Sequence, residues 1–168
     1  MSHTTAAIIF ASRHHGNTLR IADAMAHALG ADLFDAEKIE PRWLAGYELI
    51  GLGTGIYFGR PHESVRRLVQ EMPEGACDVF LFSTAGLPFL CPLWHSGLRR
   101  TLSKKGYSIV GEFSCPGWDT VGPLRLIGGL NRGRPDAKDL DRAATFARAL
   151  PRDCPLHHER VASLQPTA

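Results

Sequence analysis

The sequence predicts an α/β fold in which helices cover both faces of a parallel β-sheet. Five short apolar runs alternate with segments whose apolar residues recur at helical spacing, which is the pattern of repeated βα units. A chain of 168 residues is the length of one domain with a single core. Right-handed crossovers between the strands would place helices on the two faces of the sheet.

The first βα unit is the clearest part of this pattern. Residues 6–11 form a near-continuous apolar run, and residues 17–29 are predicted to form a helix that ends at Gly30. The turn between them reads Ser12-Arg13-His14-His15-Gly16-Asn17-Thr18. Such a turn directs backbone N–H groups and the positive end of the helix dipole to one point, where an anion can bind.

The side chains of this turn suit a phosphate monoester. Ser12, Asn17 and Thr18 can donate hydrogen bonds, and Gly16 allows a ligand to approach the backbone closely. The chain has neither Gly-x-x-x-x-Gly-Lys-Ser/Thr nor Gly-x-Gly-x-x-Gly, which argues against a nucleoside-triphosphate or dinucleotide site. The alternative is an ordinary helix that Asn17 or Thr18 caps and where no anion binds.

The remaining elements follow in order along the chain. The predicted strands are residues 31–35, 47–53, 78–83 and 107–113, and the predicted helices are residues 65–72, 94–105 and 136–150, with a loop or helical turn at residues 41–44. In the strand order 2-1-3-4-5, the loops after strands one, three and four meet at one crevice beyond the carboxyl ends of the strands.

Two of these loops have a composition that suits a flat ligand. The loop at residues 53–60 is rich in glycine, which permits changes of backbone conformation, and it carries Tyr57 and Phe58 at its crest. Either ring could stack on a ligand or, alternatively, fill the core beneath the loop. The turn at residues 83–86 consists of small residues, so its backbone amides could face the same ligand.

The first turn resembles the phosphate loop of the flavodoxin family, which has the form Ser/Thr-x-Thr-Gly-Asn-Thr. Ser12 and the run Gly16-Asn17-Thr18 match that form, and His14-His15 occupy the span where the family has one residue. The resemblance is strongest to a subgroup of flavodoxin-like proteins with His-His-Gly-Asn-Thr at this point. It covers roughly residues 5–150.

This resemblance implies a flavodoxin-like three-layer sandwich with a five-stranded parallel sheet that binds flavin mononucleotide (FMN). The first loop would hold the phosphate, the two later loops would meet the flavin ring, and a peptide flip near Gly55 or Gly59 could offer a carbonyl to the reduced ring. No catalytic acid or base is required, because a flavin supplies its own redox chemistry. The predicted cofactor-binding residues are Ser12, Arg13, His14, His15, Gly16, Asn17, Thr18, Thr54, Gly55, Ile56, Tyr57, Phe58, Gly59, Ser83, Thr84, Ala85, Gly86, Leu87 and Trp118.

Trp118 belongs to a long segment, residues 115–135, that has no helical or strand periodicity. A loop of this length in a compact domain is usually functional or mobile. With a large aromatic side chain between Gly117 and Asp119, the segment could be a lid over the flavin or a docking surface. The alternative is a self-packed loop that Trp118 anchors.

Composition argues against several other classes of protein. No apolar run reaches the ~18 residues of a membrane span, and no basic stretch precedes the first strand, which predicts a cytoplasmic protein. Basic residues are interspersed along the predicted helices without an aromatic platform, so a solvated surface is favoured over nucleic-acid binding. These residues are Arg66, Arg67, Arg99, Arg100, Lys104 and Lys105.

The cysteine and histidine positions predict no metal site. Cys77, Cys91, Cys115 and Cys154 include no Cys-x-x-Cys pair, and we expect most of them to be buried as small apolar residues. The adjacent histidines at residues 14–15 and 157–158 would point apart in an extended chain.

The sequence therefore predicts a flavodoxin-like FMN-binding domain at residues 1–150 and a loosely packed C-terminal extension at residues 151–168, with disorder as the alternative for the extension. The expected function is that of an electron carrier or a small flavin-dependent oxidoreductase of the nicotinamide or quinone type. Its partner would be a redox protein or a small electron donor or acceptor, and a homodimer is also considered. The alternative is a binding or regulatory module that keeps the fold without redox turnover.

Overall fold

The computed structural model describes residues 5–12, 16–75, 77–118 and 129–151. Its strands are β1 Ala6–Ala11, β2 Asp32–Asp35, β3 Leu49–Tyr57, β4 Arg60–Pro61, β5 Asp78–Ala85 and β6 Ser108–Pro116. Its α-helices are α1 Asn17–Leu29, α2 Glu63–Glu71, α3 Cys91–Trp94, α4 Ser96–Lys104 and α5 Ala137–Ala149, with single 3-10 helices at Pro41–Gly46 and Pro88–Leu90. The predicted alternation of strands and helices is confirmed.

The parallel strands lie in the order β2-β1-β3-β5-β6. The two-residue strand β4 pairs antiparallel with the end of β3. When the five parallel strands alone are numbered along the chain, their order is the predicted 2-1-3-4-5. The chain reverses its direction of winding between β1 and β3, and the carboxyl ends of these two strands mark the switch point where ligands bind on such sheets.

Alternate residues of each strand point to opposite faces of the sheet. Helices cover both faces, so the side chains on both are buried. On one face, Ile9 and Leu52 belong to a core that includes side chains of α2 and α4. On the other face, Ile8 and Phe80 belong to a core that includes side chains of α1 and α5. The helices therefore cover the sheet as the sequence predicts.

The prediction that strand three ends at Gly53 is wrong, because β3 continues to Tyr57. A Cβ atom on Gly51 would lie 2.4 Å from Cζ of Phe80, and one on Gly53 would lie 2.1 Å from Cζ of Phe82. The two glycines make room for phenylalanine rings on the neighbouring strand β5. They mark close packing inside the sheet rather than the start of a loop.

Other boundaries also differ from their predictions. β5 continues to Ala85 and β6 to Pro116, because the two strands stay paired up to these residues. The predicted helix at residues 94–105 is divided, since α3 ends at Trp94 and α4 begins at Ser96. Pairing and packing between segments that are distant in the chain determine where these strands and helices end, so local composition does not predict the boundaries.

Some predictions fall outside the described residues. They concern Arg13, His14 and His15 of the first loop, residues 119–128 of the long segment, and residues 152–168 of the C-terminal extension. None of the helices in the described part of the chain combines the length and apolar character needed to cross a bilayer.

Candidate functional site

A crevice lies at the carboxyl end of the sheet, at the switch point between β1 and β3. It encloses about 320 Å³ of space, part of which is open to solvent. Its walls come from four places in the chain, namely the start of α1, the end of β3, the end of β5 with the turn that follows, and the end of β6. The lining residues are Asn17, Thr18, Gly55, Ile56, Tyr57, Thr84, Ala85, Gly86, Gly117 and Trp118.

The start of α1 is joined to two other walls by polar side chains. Thr18 Oγ1 and Thr84 Oγ1 lie 2.9 Å apart and form a hydrogen bond between buried hydroxyl groups. The Asn17 amide donates to the carbonyl oxygen of Trp118 at 2.9 Å. These bonds fix the helix N-terminus against β5 and against the residues that follow β6.

No side chain of the described residues caps α1. The N-cap residue is Gly16, which has a φ of 65°, and the first turn contains no acidic residue. The expected alternative, in which Asn17 or Thr18 caps the helix, is not observed. The positive end of the helix dipole therefore has no compensating side chain from the described part of the chain, and a helix N-terminus of this kind attracts an anion.

Ser12 lies at the other end of the first loop, directly after β1. Its hydroxyl oxygen is buried and has no hydrogen-bond partner among the described residues. A buried hydroxyl without a partner costs about 1–3 kcal/mol. Such a group, four residues before the uncapped helix N-terminus at Gly16, fits an anionic ligand that would accept its hydrogen bond.

The opposite end of the crevice is a tight hairpin between β3 and β4. Phe58 and Gly59 form its two-residue turn, with φ angles of 49° and 73°, as a type I′ turn requires at both central positions. A positive φ is unfavourable for a bulky residue such as Phe58. The Phe58 side chain is 86% exposed, so packing within the described chain does not compensate for this conformation.

Tyr57 provides the crevice wall beside this turn. Its ring contacts the His62 ring edge to face, with 5.7 Å between centroids, and a Cβ on Gly55 would lie 2.7 Å from the Tyr57 hydroxyl oxygen. Thr54 supports the hairpin from inside, because its hydroxyl accepts from the His62 N–H and donates to the Gly55 carbonyl, both at 2.8 Å.

The fourth wall, Gly117 and Trp118, is held by the segment that precedes α5. The Asn131 amide donates to the Gly86 carbonyl at 2.9 Å, and the Trp118 N–H donates to the Arg134 carbonyl at 3.1 Å. The Arg134 guanidinium in turn donates two bonds, of 2.6 and 2.7 Å, to the carboxylate of buried Asp139.

These contacts also affect ionisation near the wall. The hydrogen bond to Asp139 raises the pKa of Arg134 above its ordinary value, so the guanidinium stays charged. Burial raises the pKa of the Cys115 thiol to about 12. The thiol is therefore protonated at neutral pH and is a packing group rather than a nucleophile.

The comparisons with known proteins agree with this geometry. Residues 7–76 match the family model described as a flavodoxin domain. An uncharacterized protein of Methanocaldococcus jannaschii is 41% identical over 145 residues, which cover 86% of this chain and 97% of that protein.

This chain has a flavodoxin-like fold.

Solved structures share the flavodoxin-like fold at low sequence identity. Oxidised flavodoxin 2 from Bacillus cereus is 18% identical with a TM-score of 0.63, covering 85% of this chain and 94% of that one. A WrbA-like flavodoxin from Agrobacterium tumefaciens is 16% identical with a TM-score of 0.63, covering 93% and 98%. A flavoprotein from Lactobacillus acidophilus, solved in complex with FMN, is 14% identical with a TM-score of 0.55, covering 66% and 93%.

The structure brings together many of the residues predicted for a flavodoxin-like site. Those that line the crevice are Asn17, Thr18, Gly55, Ile56, Tyr57, Thr84, Ala85, Gly86 and Trp118. Other predicted residues lie nearby without lining it, namely Ser12, Gly16, Thr54, Phe58, Gly59, Ser83 and Leu87. Arg13, His14 and His15 lie outside the described residues. The contact of each residue with a cofactor stays a prediction.

Gly117 is the lining residue that sequence reasoning missed. A Cβ atom there would lie 3.1 Å from the Asn17 amide nitrogen and 3.2 Å from Cβ of Thr84. The close approach of the residues after β6 to α1 therefore favours a residue without a side chain at this position. The only signal in the sequence was its position next to Trp118.

Proposed function

We propose that this protein binds FMN in the crevice and acts as a redox protein, either an electron carrier or a small flavin-dependent oxidoreductase. The observation that carries the proposal is the buried hydroxyl of Ser12, which has no hydrogen-bond partner among the described residues, four residues before the uncapped N-terminus of α1 at Gly16. The match of residues 7–76 to a flavodoxin domain supports it, as does the fold shared with a flavoprotein solved in complex with FMN.

The phosphate end of FMN would lie at the first loop. The Ser12 hydroxyl would donate to a phosphate oxygen, and the first backbone N–H groups of α1 would donate to the others. A charge-assisted hydrogen bond of this kind is roughly twice as strong as a neutral one. The Thr18–Thr84 bond would hold the helix N-terminus in position before the ligand arrives.

The flavin ring would lie between the hairpin and the end of β6. Tyr57 and Trp118 line the crevice from strands that lie on the two sides of β5, so a flat ring could lie between two aromatic side chains. The bound flavin supplies the electron transfer. The protein residues bind the ring, orient it and exclude water from it.

Exposed apolar side chains next to the lining residues suit a docking surface for a redox partner. Phe58 follows Tyr57, Leu87 follows Gly86, and Phe89 and Leu93 come soon after. Phe89 is 73% exposed and Leu93 68% exposed. Exposed apolar clusters on soluble proteins often mark interaction sites, so a redox protein is proposed as a partner in addition to small electron donors or acceptors.

The proposal can be tested with Ser12→Ala. Isothermal titration calorimetry should show FMN binding weakened by about 10- to 100-fold, because one hydrogen bond to a charged group is worth about 1.5–3 kcal/mol. The thermal stability of the cofactor-free protein should not fall, since the hydroxyl bonds to none of the described residues. Ser108→Ala is the matched control, because Ser108 is exposed at the opposite end of the sheet.

Riboflavin, which lacks the phosphate, separates the two ends of the ligand. Its affinity should be the same for the native protein and for Ser12→Ala. An equal loss for both ligands would contradict the phosphate role of Ser12. A protein that takes up no flavin and shows no flavin absorbance after gel filtration would contradict the proposal and favour the binding-module alternative. A reductive titration that proceeds in two one-electron steps would indicate an electron carrier. Rapid reduction by a nicotinamide would indicate an oxidoreductase.

A further inference from the structure

A second cluster of reactive side chains lies between α3 and β6 and is not among the residues that line the crevice. The Cys91 sulfur, a ring nitrogen of His95 and a carboxylate oxygen of Glu112 all lie within 4.8 Å of one another. Cys91 and His95 are four residues apart along one helical turn, where the His95 N–H donates to the Cys91 carbonyl at 2.9 Å. Their side chains therefore share one face of the helix.

His95 is the unusual member of this cluster. Its side chain is 0% exposed, and Nδ1 lies 2.8 Å from Glu112 Oε2. Nε2 is buried and has no hydrogen-bond partner among the described residues. Buried imidazole nitrogens normally have a partner, so the ring retains one nitrogen whose bonding capacity is unused among the described residues.

Glu112 is held in place from its other side. Its Oε1 accepts a bond of 2.5 Å from Arg99, which also donates to the Pro92 carbonyl at 2.8 Å. Oε2 remains directed at the cluster. Carboxylates and imidazoles that bind metals are commonly oriented by an outer layer of hydrogen bonds of this type.

We propose that Cys91, His95 and Glu112 form a binding site for a divalent transition-metal ion of the zinc class. Thiolate, imidazole and carboxylate are all zinc ligands, with bonds of about 2.0–2.3 Å. Tetrahedral bonds of that length place ligand atoms about 3–4 Å apart. The wider spacings of the cluster, up to 4.8 Å, would shorten, and the 2.8 Å between His95 Nδ1 and Glu112 Oε2 would lengthen slightly. The two anionic ligands match the charge of the dication, and a water molecule would complete the coordination.

Binding would exchange a proton for the metal. The Cys91 thiol loses its proton to solvent when the sulfur–metal bond forms, and no oxidation or reduction takes place. Cys91 is partly exposed, so an ion can enter from that side. The bound ion would join α3 to β6. This proposal departs from the sequence-based expectation that the cysteines bind no metal.

Cobalt(II) titration of the tag-free protein, after treatment with a chelator, tests the site directly. We expect one cobalt ion per chain, with a thiolate-to-cobalt charge-transfer band in the near ultraviolet and the visible bands of four-coordinate cobalt, all removed by zinc. The histidines elsewhere in the sequence can bind cobalt but cannot produce the thiolate band. The cobalt absorption spectrum does not depend on FMN, so this test of the metal site is independent of the tests of the proposed function.

Two variants and a control assign the ligands. In Cys91→Ser the charge-transfer band should disappear, and in Glu112→Gln the dissociation constant should rise by at least the roughly 10- to 100-fold that changes around a metal typically cost. Cys77→Ala removes a buried cysteine outside the cluster and should leave the band unchanged. Circular dichroism confirms that each variant is folded. Absence of the band in the native protein, or its survival in Cys91→Ser, would overturn the proposal.

Discussion

At the α1 end of the crevice, Asn17 and Thr18 are buried and hydrogen-bonded to the facing walls. At the hairpin end, Phe58 is 86% exposed and has a positive φ. The first end is built before any ligand arrives, and the second is held by backbone pairing and by Thr54 beneath it. We infer that changes at the α1 end alter cofactor affinity, whereas changes at the hairpin end alter stability and contacts with partners.

Gly117→Val should have the largest effect on affinity. The new side chain would enter the space between Asn17 and Thr84, where even a Cβ atom has contacts of 3.1–3.2 Å. Overpacking typically costs 1–3 kcal/mol, and we expect FMN affinity measured by calorimetry to fall by roughly 100-fold or more. Gly97→Val is the control, because no atom lies within 4 Å of a Cβ at Gly97. Full affinity in Gly117→Val would show that the ligand binds elsewhere.

Asn17→Ala should have an intermediate effect. It removes the donor to the Trp118 carbonyl, and the loss of such a bond costs about 1–3 kcal/mol of unfolding free energy. Because the Trp118 wall would loosen, FMN and riboflavin should both bind less tightly, by about tenfold. Chemical denaturation and calorimetry measure the two effects, and Gln70→Ala, an exposed amide on α2, is the control. A loss confined to FMN would instead place the Asn17 amide on the phosphate.

Phe58→Asn should have the smallest effect on affinity and the opposite effect on stability. Asparagine before glycine is favoured in a type I′ turn, and relief of the positive φ should raise the unfolding free energy by about 0.5–1 kcal/mol. FMN affinity should change by less than in Ser12→Ala, because Phe58 is 86% exposed and is not proposed to donate a hydrogen bond to the phosphate. A fall in melting temperature would contradict the inferred strain. Slower electron exchange with a protein partner would support a docking role for Phe58.

The sequence alone predicts the parts of the fold that local pattern determines. The apolar run of β1, the periodicity of α1 and the turn between them are all visible in a window of some twenty residues, and alternation of such units fixes the sheet. Ser12, Asn17 and Thr18 were therefore located without coordinates. The hydrogen bonds of Thr18 and Asn17 were not predicted, since their partners, Thr84 and Trp118 respectively, lie 66 and 101 residues away in the chain.

Long-range packing accounts for what the sequence did not reveal. Gly51 and Gly53 have the composition of a flexible loop but lie inside β3, because Phe80 and Phe82 occupy the space where side chains would be. The proximity of Cys91 and Glu112 was also not visible in the sequence, because they are brought together only when α3 packs beside β6. No spacing rule relates residues on separate elements.

The hydrogen bond from the Trp118 N–H to the Arg134 carbonyl joins the crevice to the start of α5, where Asp139 holds the Arg134 side chain. Asp136 and Asp139 also form the capping box of that helix. Because these contacts form one connected set, undocking of α5 would release the crevice wall while the sheet remained folded. The Trp118 amide should then exchange with deuterium at the rate of the first amides of α5, and cofactor should dissociate well before global unfolding.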